Sequence, residues 1–316
     1  MSGHNNGNGN GKRRLALNGL DHFCRRYSTL LTGDRWEVPY RSPATIAGLA
    51  ARFADVMRCD LAYSYTGRIT MGKFLRVARS LGKTKIIMVW CGSDSIFAQA
   101  EYAMGKIDPW VTQLTHWSIS PWLAEEVCSL GVNCEYVPAT QFVDLVPNPK
   151  PLPEKFSVLM YVRDINKGGL YGWDRMEKVA RALPHIEFNL FGLVEGQTVA
   201  APPNVKVHSW TSGFTPFLEQ STVVYRPVRH DGLSLTVLEA LSHGRHVVWT
   251  YPLEGCIHAP TTDVAREELQ KLYIEHQSGN LGLNEVGIRY VTANHGSEFA
   301  RAELLRRFEQ IMATPS

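Results

Sequence analysis

Short apolar and amphipathic blocks alternate along the whole chain. In the first half, nearly continuous apolar runs predict strands at 13–19, 60–65, 85–92, 116–120 and 134–138. The amphipathic stretches between them predict helices at 20–32, 44–57, 70–81 and 121–130. Strands that are apolar on both faces and alternate with helices are typical of a doubly wound parallel sheet. The first half is therefore predicted to be an α/β domain.

A proline-rich segment, VPNPKPLPEK at 146–155, interrupts this alternation. Neither a helix nor a central strand accommodates so many prolines, so this segment is predicted to be a linker. The alternation then restarts, with strands at 156–162, 186–192, 205–210, 222–227 and 246–250, and helices at 169–182, 214–220, 234–243 and 295–313. We therefore predict two α/β domains, 13–149 and 150–316, with the final helix free to pack back on the first domain.

Composition narrows the class of protein. The chain has 316 residues, of which 44% are hydrophobic and 20% charged, which is typical of a soluble globular protein with two cores. The Asn/Gly-rich residues 1–12 predict a disordered tail without the apolar segment of a signal peptide. No apolar run is long enough to span a bilayer. Six cysteines without a C-x-x-C pair or zinc spacing indicate a reducing, cytoplasmic location.

The charge distribution leaves two interpretations open. A net charge of +3 is too small to indicate nucleic-acid binding. Residues 1–149 hold 16 Lys and Arg against 12 Asp and Glu, with basic doublets at 13–14 and 25–26. This surplus is either an ordinary solvated face or a surface for an anionic acceptor or a membrane.

The segment RHDGLSLTVLEALSHGRHVVWT (229–250) carries the most specific chemistry. A predicted strand ends at Pro227, and a helix is predicted to begin near Ser234. The loop between them places the amides of Gly232, Leu233 and Ser234 at a helix N-terminus, an arrangement that favours a phosphate.

Two carboxylates flank this predicted phosphate site. Glu239 lies ~7–8 Å along the helix axis, where it can accept hydrogen bonds from the hydroxyls of a ribose. Asp231 lies on the other side and is free to hold another hydroxylated group. A sugar, a phosphate and a ribose jointly match these features. The alternative is that Asp231 caps the helix and Glu239 is a solvated acid.

A second segment, YVRDINKGG (161–169), follows a predicted strand and precedes a helix. Arg163 and Lys167 are separated by four positions, and both can point at one anion from the carboxyl end of the sheet. Arginine supplies a fork of donors and lysine a point charge, a common way to hold a diphosphate. The alternative is ordinary surface charge.

These segments resemble the nucleotide-sugar-binding signature of retaining glycosyltransferases with the two-domain GT-B fold, family 4 in particular. DGLSLTVLEAL resembles the family's acid–x7–acid loop and helix, and R-x3-K-G at 163–168 resembles its diphosphate-binding pair. More weakly, LNGLDHF resembles the family's first glycine-bearing loop, VWCGSD (89–94) its strand ending in His-Gly, and YVPATQFVD (136–144) its interdomain entry.

The resemblance implies two Rossmann-like domains facing a cleft, with an acceptor domain first and a nucleotide-sugar donor domain second. It implies transfer of a sugar to a hydroxyl acceptor with retention of configuration, without a metal or other cofactor. The acceptor is a sugar, a lipid-linked molecule or a small molecule, with peripheral membrane contact through the basic first domain and no nucleic-acid partner. The absence of a D-x-D motif agrees with metal independence.

The resemblance also assigns roles to residues. Arg163 and Lys167 would bind the leaving diphosphate, and Asp231 the donor sugar. Glu239 would bind the ribose. The amides of Gly232, Leu233 and Ser234 would bind the phosphate nearest the sugar. Gly19 would let the first domain approach the donor. The nucleobase of the donor would lie near Gly192 and the His208–Trp210 segment.

The sequence departs from the family pattern at three positions. Asp231 replaces the usual glutamate, Ser234 a common glycine, and Cys91 a histidine near the reacting sugar. Cys91 is then either a residue of the site or a buried strand-end cysteine. Two other functions stay open: a nucleotide-sugar epimerase or phosphorylase on the same fold, and a non-catalytic donor-binding partner subunit. Asp94 is expected as a helix cap, and His116 and His230 as structural residues.

Overall fold

The computed structural model describes residues 11–33, 35–42, 44–143, 149–209 and 214–314. Its internal contacts divide the chain into two units. Unit 1 comprises residues 1–140 together with 300–316, and unit 2 comprises residues 141–299. Most of the predicted tail and the first part of the predicted linker lie outside the described residues. Residues 149–155 of that linker form neither helix nor strand.

Unit 1 contains one parallel sheet of six strands with helices between them, as the alternating pattern predicts. The strand order is β2-β1-β3-β4-β5-β6, so the order reverses between β1 and β3. The strands are β1 (Arg13–Gly19), β2 (Trp36–Glu37), β3 (Leu61–Tyr65), β4 (Ile86–Trp90), β5 (Thr115–Ser118) and β6 (Cys134–Tyr136). The helices are α1 (Asp21–Leu31), α2 (Ile46–Arg58), α3 (Lys73–Ser80), α4 (Ser93–Ala103), α5 (Pro109–Thr112) and α6 (Pro121–Cys128).

Unit 2 contains a second parallel sheet of six strands, in the order β12-β11-β10-β7-β8-β9. Counted from its own first strand, this is the order 3-2-1-4-5-6 of dinucleotide-binding folds. The strands are β7 (Ser157–Tyr161), β8 (Glu187–Leu193), β9 (Val205–Ser209), β10 (Val223–Arg226), β11 (His246–Trp249) and β12 (Ile257–His258). The helices are α7 (Gly168–Tyr171), α8 (Trp173–Ala182), α9 (Thr215–Glu219), α10 (Leu235–Ser242), α11 (Thr262–Gln277) and α12 (Glu285–His295).

The last helix, α13 (Ser297–Ala313), packs within unit 1 from Ala300 onward. Phe308 stacks on Trp117 with ring centroids 6.2 Å apart. The Lys85 ammonium donates to the carbonyl of Met312 over 2.8 Å. These contacts bury an aromatic ring against the sheet and satisfy carbonyls at the end of the helix, where cations are favourable.

Two sequence-based predictions of secondary structure need correction. The helix predicted over 169–182 is two helices, because Gly172 adopts a left-handed conformation with φ 78° and ends α7. Only glycine adopts this conformation without a steric penalty. The edge strands β2 and β12 were not predicted, because two residues are too few to show a hydrophobic period.

Candidate functional site

The point where the strand order of unit 2 reverses lies between β7 and β10, which are adjacent and parallel. Ligands of open α/β sheets bind at such a switch point, beyond the carboxyl ends of the strands. The loop after β7 carries Arg163 and Lys167, and the loop after β10 carries Asp231 and Gly232. The fold therefore brings both predicted ligand-binding segments to the same edge of one sheet.

The loop after β10 is fastened to helices α7 and α8, which follow the loop after β7. The amide of Arg229 donates to the carbonyl of Leu170 over 3.0 Å, and the Arg229 guanidinium lies 2.6 Å from a carboxylate oxygen of Asp174. A Cβ atom on Gly172 would lie 2.1 Å from the carbonyl oxygen of Pro227. Glycine is thus required for the close approach that sets the spacing of the two loops.

The start of α10 presents hydrogen-bond donors at this edge. Ser234 is the N-cap residue, and its side chain makes no capping hydrogen bond. The amides of Gly232, Leu233 and Ser234 donate no hydrogen bond to any described residue. The buried Gln141 fixes the loop by donating to the carbonyl of Leu233 over 2.8 Å. Free amides at a helix N-terminus in a fixed loop form a binding site for an anion such as phosphate.

Arg163 and Lys167 are both exposed at the same edge. Within the described part of the chain, neither side chain has an ion-pair or hydrogen-bond partner. The loop between them is nevertheless ordered, because Asp164 accepts hydrogen bonds from the amide of Asn166 (3.0 Å) and the side chain of Gln197 (2.7 Å). Two cations on a fixed loop are available to an external anion.

Arg226, the last residue of β10, was not singled out from the sequence. Its guanidinium contacts one carboxylate oxygen of Asp231 through Nε (2.8 Å) and Nη2 (2.7 Å), and both side chains are largely buried. The Nη1 atom of Arg226 is buried and has no partner among the described residues. The amide of Asp231 donates to the hydroxyl of Tyr251 over 3.2 Å. The sequence feature that could have identified Arg226 is its position as a charged residue at the end of an otherwise apolar strand.

Glu239 is the fifth residue of α10 and is half-buried. Its charge affects the pKa of Tyr161, which lies at the end of β7. The pKa of Tyr161 is raised, mainly because the phenol is buried, while Arg163 and Arg226 oppose the rise and Glu239 adds to it. The Tyr161 phenol therefore interacts electrostatically with Arg163, with Arg226 and with the predicted ribose-binding acid Glu239.

The residues predicted to lie near the nucleobase of the donor make structural contacts or line a different cavity. Gly192 is buried with φ 103°, and a Cβ there would lie 2.4 Å from the Tyr161 ring, so its role in the structure is to admit that ring. His208 hydrogen-bonds Asn189 over 2.8 Å and lines a separate cavity of about 330 Å³ with Lys155 and Glu187. Burial lowers the pKa of His208. Trp210 lies outside the described residues.

Unit 1 has its own switch point, between β1 and β3, and Gly19 ends β1 there. Gly19 has φ 139°, and a Cβ would lie 2.7 Å from the carbonyl oxygen of Tyr65, so this position accepts only glycine without strain. A cavity of about 450 Å³ opens beside it. The cavity is lined by Asn18, Gly19, Leu20, Ser64, Thr66, Arg68, Gly72, Lys73, Phe74, Leu75 and Met88.

The lining of this unit 1 cavity contains two cations and no acid. The Arg68 guanidinium lies against the start of α3, because a Cβ on Gly72 would overlap it at 1.8 Å. Asn18 donates to the hydroxyl of Ser64 over 2.8 Å on the opposite side. The cavity offers polar groups for hydroxyls and an excess of positive charge for an anion.

Cys91 and Asp94 have structural environments. The Cys91 thiol donates to the carbonyl of Val89 over 3.4 Å, and burial raises its pKa well above the ordinary value. A thiol that stays neutral is not a nucleophile. Asp94 was expected to cap the next helix, but the N-cap of α4 is Gly92 and Asp94 is the second residue of that helix. Its carboxylate accepts from the amides of Gly67 (2.7 Å), Cys91 (3.0 Å) and Gly92 (2.8 Å), so it joins the loops after β3 and β4.

His116 is a buried core residue. The Trp90 indole donates to its Nδ1 over 3.1 Å, which leaves Nε2 to donate to the carbonyl of Val111 over 2.9 Å. Burial lowers its pKa to about 4, so the ring is neutral at pH 7. His230 lies half-buried in the loop before Asp231.

Comparison with solved structures identifies the fold as GT-B. HepE from Anabaena in complex with UDP superposes with a TM-score of 0.70 at 11% identity, covering 94% of this chain and 100% of that chain. Sucrose-phosphate synthase from Thermosynechococcus elongatus gives 0.68 at 11% identity, with 96% and 100% coverage. A glycosyltransferase from Rickettsia africae ESF-5 gives 0.65 at 9% identity, with the same coverage. The chain spans about half (53%) of TarM, with a TM-score of 0.53 at 11% identity.

No protein-family model and no curated protein sequence matches the chain. At these identities the structural matches establish the fold alone. They support the sequence-based prediction of two Rossmann-like sheets of the GT-B type.

Proposed function

We propose that this protein is a retaining glycosyltransferase that moves a sugar from a nucleotide-diphosphate sugar to a hydroxyl acceptor without requiring a metal. The observation that carries this proposal is the edge of unit 2 between β7 and β10. There the start of α10, whose first amides donate to no described residue, the exposed Arg163 and Lys167, which have no side-chain partner among the described residues, and Glu239 lie on the segments that follow β7 and β10. Amides and cations serve a diphosphate, and a carboxylate serves the hydroxyls of a ribose.

The reaction breaks the bond between the anomeric carbon and the diphosphate oxygen, and the electron pair stays on that oxygen. The acceptor oxygen bonds to the anomeric carbon, and its proton passes to the leaving phosphate. Negative charge therefore grows on the diphosphate in the transition state. Arg163, Lys167 and the start of α10 are fixed near that charge, and such groups stabilise the transition state more than the ground state.

Asp231 has two roles in this proposal. One carboxylate oxygen is held by Arg226, which fixes the side chain instead of leaving it mobile. A carboxylate held in this way is oriented to accept hydrogen bonds from the donor sugar. The buried Nη1 of Arg226, which has no partner among the residues that the structure describes, then adds a donor next to Asp231.

The HepE structures contain UDP and glucose in one case and UDP-glucose in another. This makes UDP-sugars the first donors to test on the present chain. On the acceptor side, we place the acceptor in the cavity of unit 1 lined by Gly19, Arg68 and Lys73. A sugar, a lipid-linked molecule or a small molecule is compatible with it, with the protein acting in the cytoplasm, at the surface of a membrane where the acceptor is a lipid.

The test is a screen of UDP-, GDP-, dTDP- and ADP-sugars by thermal unfolding, followed by analysis of products. One donor is expected to raise the melting temperature, because a ligand that binds only the folded state stabilises it. Glu239→Ala should lose most of that stabilisation, whereas Lys178→Ala, an exposed control on α8, should keep it. NMR should then show transfer to an acceptor with the anomeric configuration retained.

Three outcomes would count against this proposal in different ways. Equal stabilisation of wild type and Glu239→Ala would remove the proposed donor site. Turnover of the donor without an acceptor would favour an epimerase or a phosphorylase. Donor binding without turnover on any acceptor would favour a non-catalytic partner subunit, in which the Arg226–Asp231 ion pair is purely structural.

A further inference from the structure

Two helices of unit 1 expose rows of apolar side chains. The first row, which we call the α2 stripe, lies on α2 and has exposed fractions from 43% to 87%; it comprises Ile46, Leu49, Phe53 and Met57. The second row, the α4 stripe, lies on α4 and its C-cap residue; it comprises Ile96, Phe97, Ala100, Ala103 and Met104. Single exposed apolar residues are common, but contiguous rows at helical spacing mark interaction sites.

The opposite faces of both helices are held in place. On α2, Val56 packs in the core with Leu75 of α3, and Arg52 donates to the carbonyl of Leu17 over 3.2 Å. On α4, the hydroxyl of the buried Ser95 lies 3.0 Å from a carboxylate oxygen of Glu126 on α6. These contacts fix the rotation of each helix, so neither stripe can turn inward without breaking them.

The two stripes lie beside surfaces of opposite charge. Helices α2 and α3 pack beside each other and together contain five basic residues and one acid. Helices α4 and α6 also pack beside each other, and apart from Asp94, which binds backbone amides, they contain Glu101, Glu125 and Glu126 and no base. The loop after α4 adds Lys106. The α2 stripe therefore has a basic surround and the α4 stripe an acidic one.

We propose that the α2 stripe of one copy of this chain docks on the α4 stripe of another copy. The contact covers both apolar rows and sets the basic surround of one against the acidic surround of the other. Pairing two α2 stripes, or two α4 stripes, would instead bring like charges together. The contact uses two different surfaces, so each bound pair keeps one stripe of each kind uncovered, and further copies add head to tail.

This self-association goes beyond the proposed function and is measured without any substrate. The full chain is examined by sedimentation velocity over a series of protein concentrations and at low and high salt. We expect the weight-average sedimentation coefficient to rise with protein concentration. The rise should be smaller at high salt, since salt screens the attraction between the two surrounds.

Phe53→Glu on the α2 stripe and Phe97→Glu on the α4 stripe should each lower the association constant at least ~10-fold, because large aromatic side chains dominate such contacts. The matched control is Ile274→Glu on α11 of unit 2, since Ile274 is 57% exposed and lies outside both stripes. Leu49→Glu and Met104→Glu form a second pair of variants. Thermal unfolding of each variant alone checks that it is folded.

A mixing experiment tests the pairing of unlike stripes. Phe53→Glu keeps an intact α4 stripe, and Phe97→Glu keeps an intact α2 stripe. Each variant should be monomeric alone, whereas an equimolar mixture should form a one-to-one dimer that grows no further. A contact between two identical stripes could not give this result, because one of the two variants would then still associate alone.

A wild-type chain that stays monomeric at every concentration would overturn the proposal, and so would a mixture of the two folded variants that stays monomeric. Association of Phe97→Glu alone at the wild-type level would also overturn it, and would assign the contact to two α2 stripes. A wild type that is monomeric yet sediments with lipid vesicles would overturn it in favour of a bilayer as the occupant.

Discussion

The two sheets of this molecule differ most at their switch points. The edge of unit 2 combines free amides, two exposed cations and carboxylates, one of which is held by Arg226. The cavity at the edge of unit 1 has Arg68 and Lys73 but no acid. Carboxylates accept hydrogen bonds from sugars, whereas cations attract phosphates. Under the proposed function, the same architecture would serve two different ligands, and the loops would decide which.

The largest expected effect tests the cations of unit 2. Lys167→Ala should lower kcat by ~10²–10³, because a fixed cation beside a developing oxyanion acts mainly on the transition state. Donor binding should weaken much less. The measurement is steady-state kinetics with the donor found in the screen, with Lys178→Ala as the control. A variant that raises KM and leaves kcat unchanged would show that Lys167 binds the donor uniformly and does not stabilise the transition state.

A second prediction concerns the core of unit 1. The His116 ring is neutral in the folded state with a pKa of about 4, and its ordinary value is 6.5. The unfolded state therefore binds more protons between these values, and stability falls as pH decreases from 6.5 towards 4. The full difference corresponds to about 3 kcal/mol. Chemical denaturation at pH 7 and pH 4.5 should show less pH dependence for His116→Gln than for the exposed control His22→Gln.

A result in which both variants retain the same pH dependence as wild type would assign the acid sensitivity of the protein to other groups. His246 is one of them, because burial also lowers its pKa.

The third prediction tests the spacing of the two loops in unit 2. Gly172→Ala places a Cβ against the carbonyl of Pro227 and strains a residue with positive φ. It should destabilise the fold by about 1–3 kcal/mol and weaken donor binding, because the two loops must separate. Gly196→Ala is the matched control. Gly196 also has positive φ, at 81°, but a Cβ there meets no atom within 4 Å. Equal donor affinity in both variants would show that the loop spacing does not matter for binding.

The sequence predicted the elements that depend on local chemistry. The start of α10 follows from a strand end, a glycine and an apolar helix, and it lies within one residue of the predicted position. The ion pair between Arg226 and Asp231 could not be predicted, because it depends on how the loop folds back over the strand. The outward direction of Ile46, Leu49, Phe53 and Met57 on α2 is a second such case. Their spacing matches that of a buried face, and only tertiary packing decides which face meets the sheet.

The smallest expected effect concerns the acceptor cavity in unit 1. Arg68 is half-buried, and no carboxylate among the described residues pairs with it. If the acceptor carries a phosphate or carboxylate, Arg68→Ala should raise the acceptor KM by ~10-fold, because one charge-assisted hydrogen bond is lost. Because the cavity is in unit 1, kcat and donor affinity should change little, in contrast to Lys167→Ala.

Arg68→Lys sharpens this prediction, since it keeps the charge and loses the fork of donors. An intermediate KM would indicate that geometry as well as charge is recognised. Lys106→Ala, which removes an exposed cation outside the cavity lining, is the control. An acceptor that carries a phosphate or carboxylate, and whose KM is the same for wild type and Arg68→Ala, would contradict the assignment. The difference between the two switch points would then reflect the shape of the cavity and not its charge.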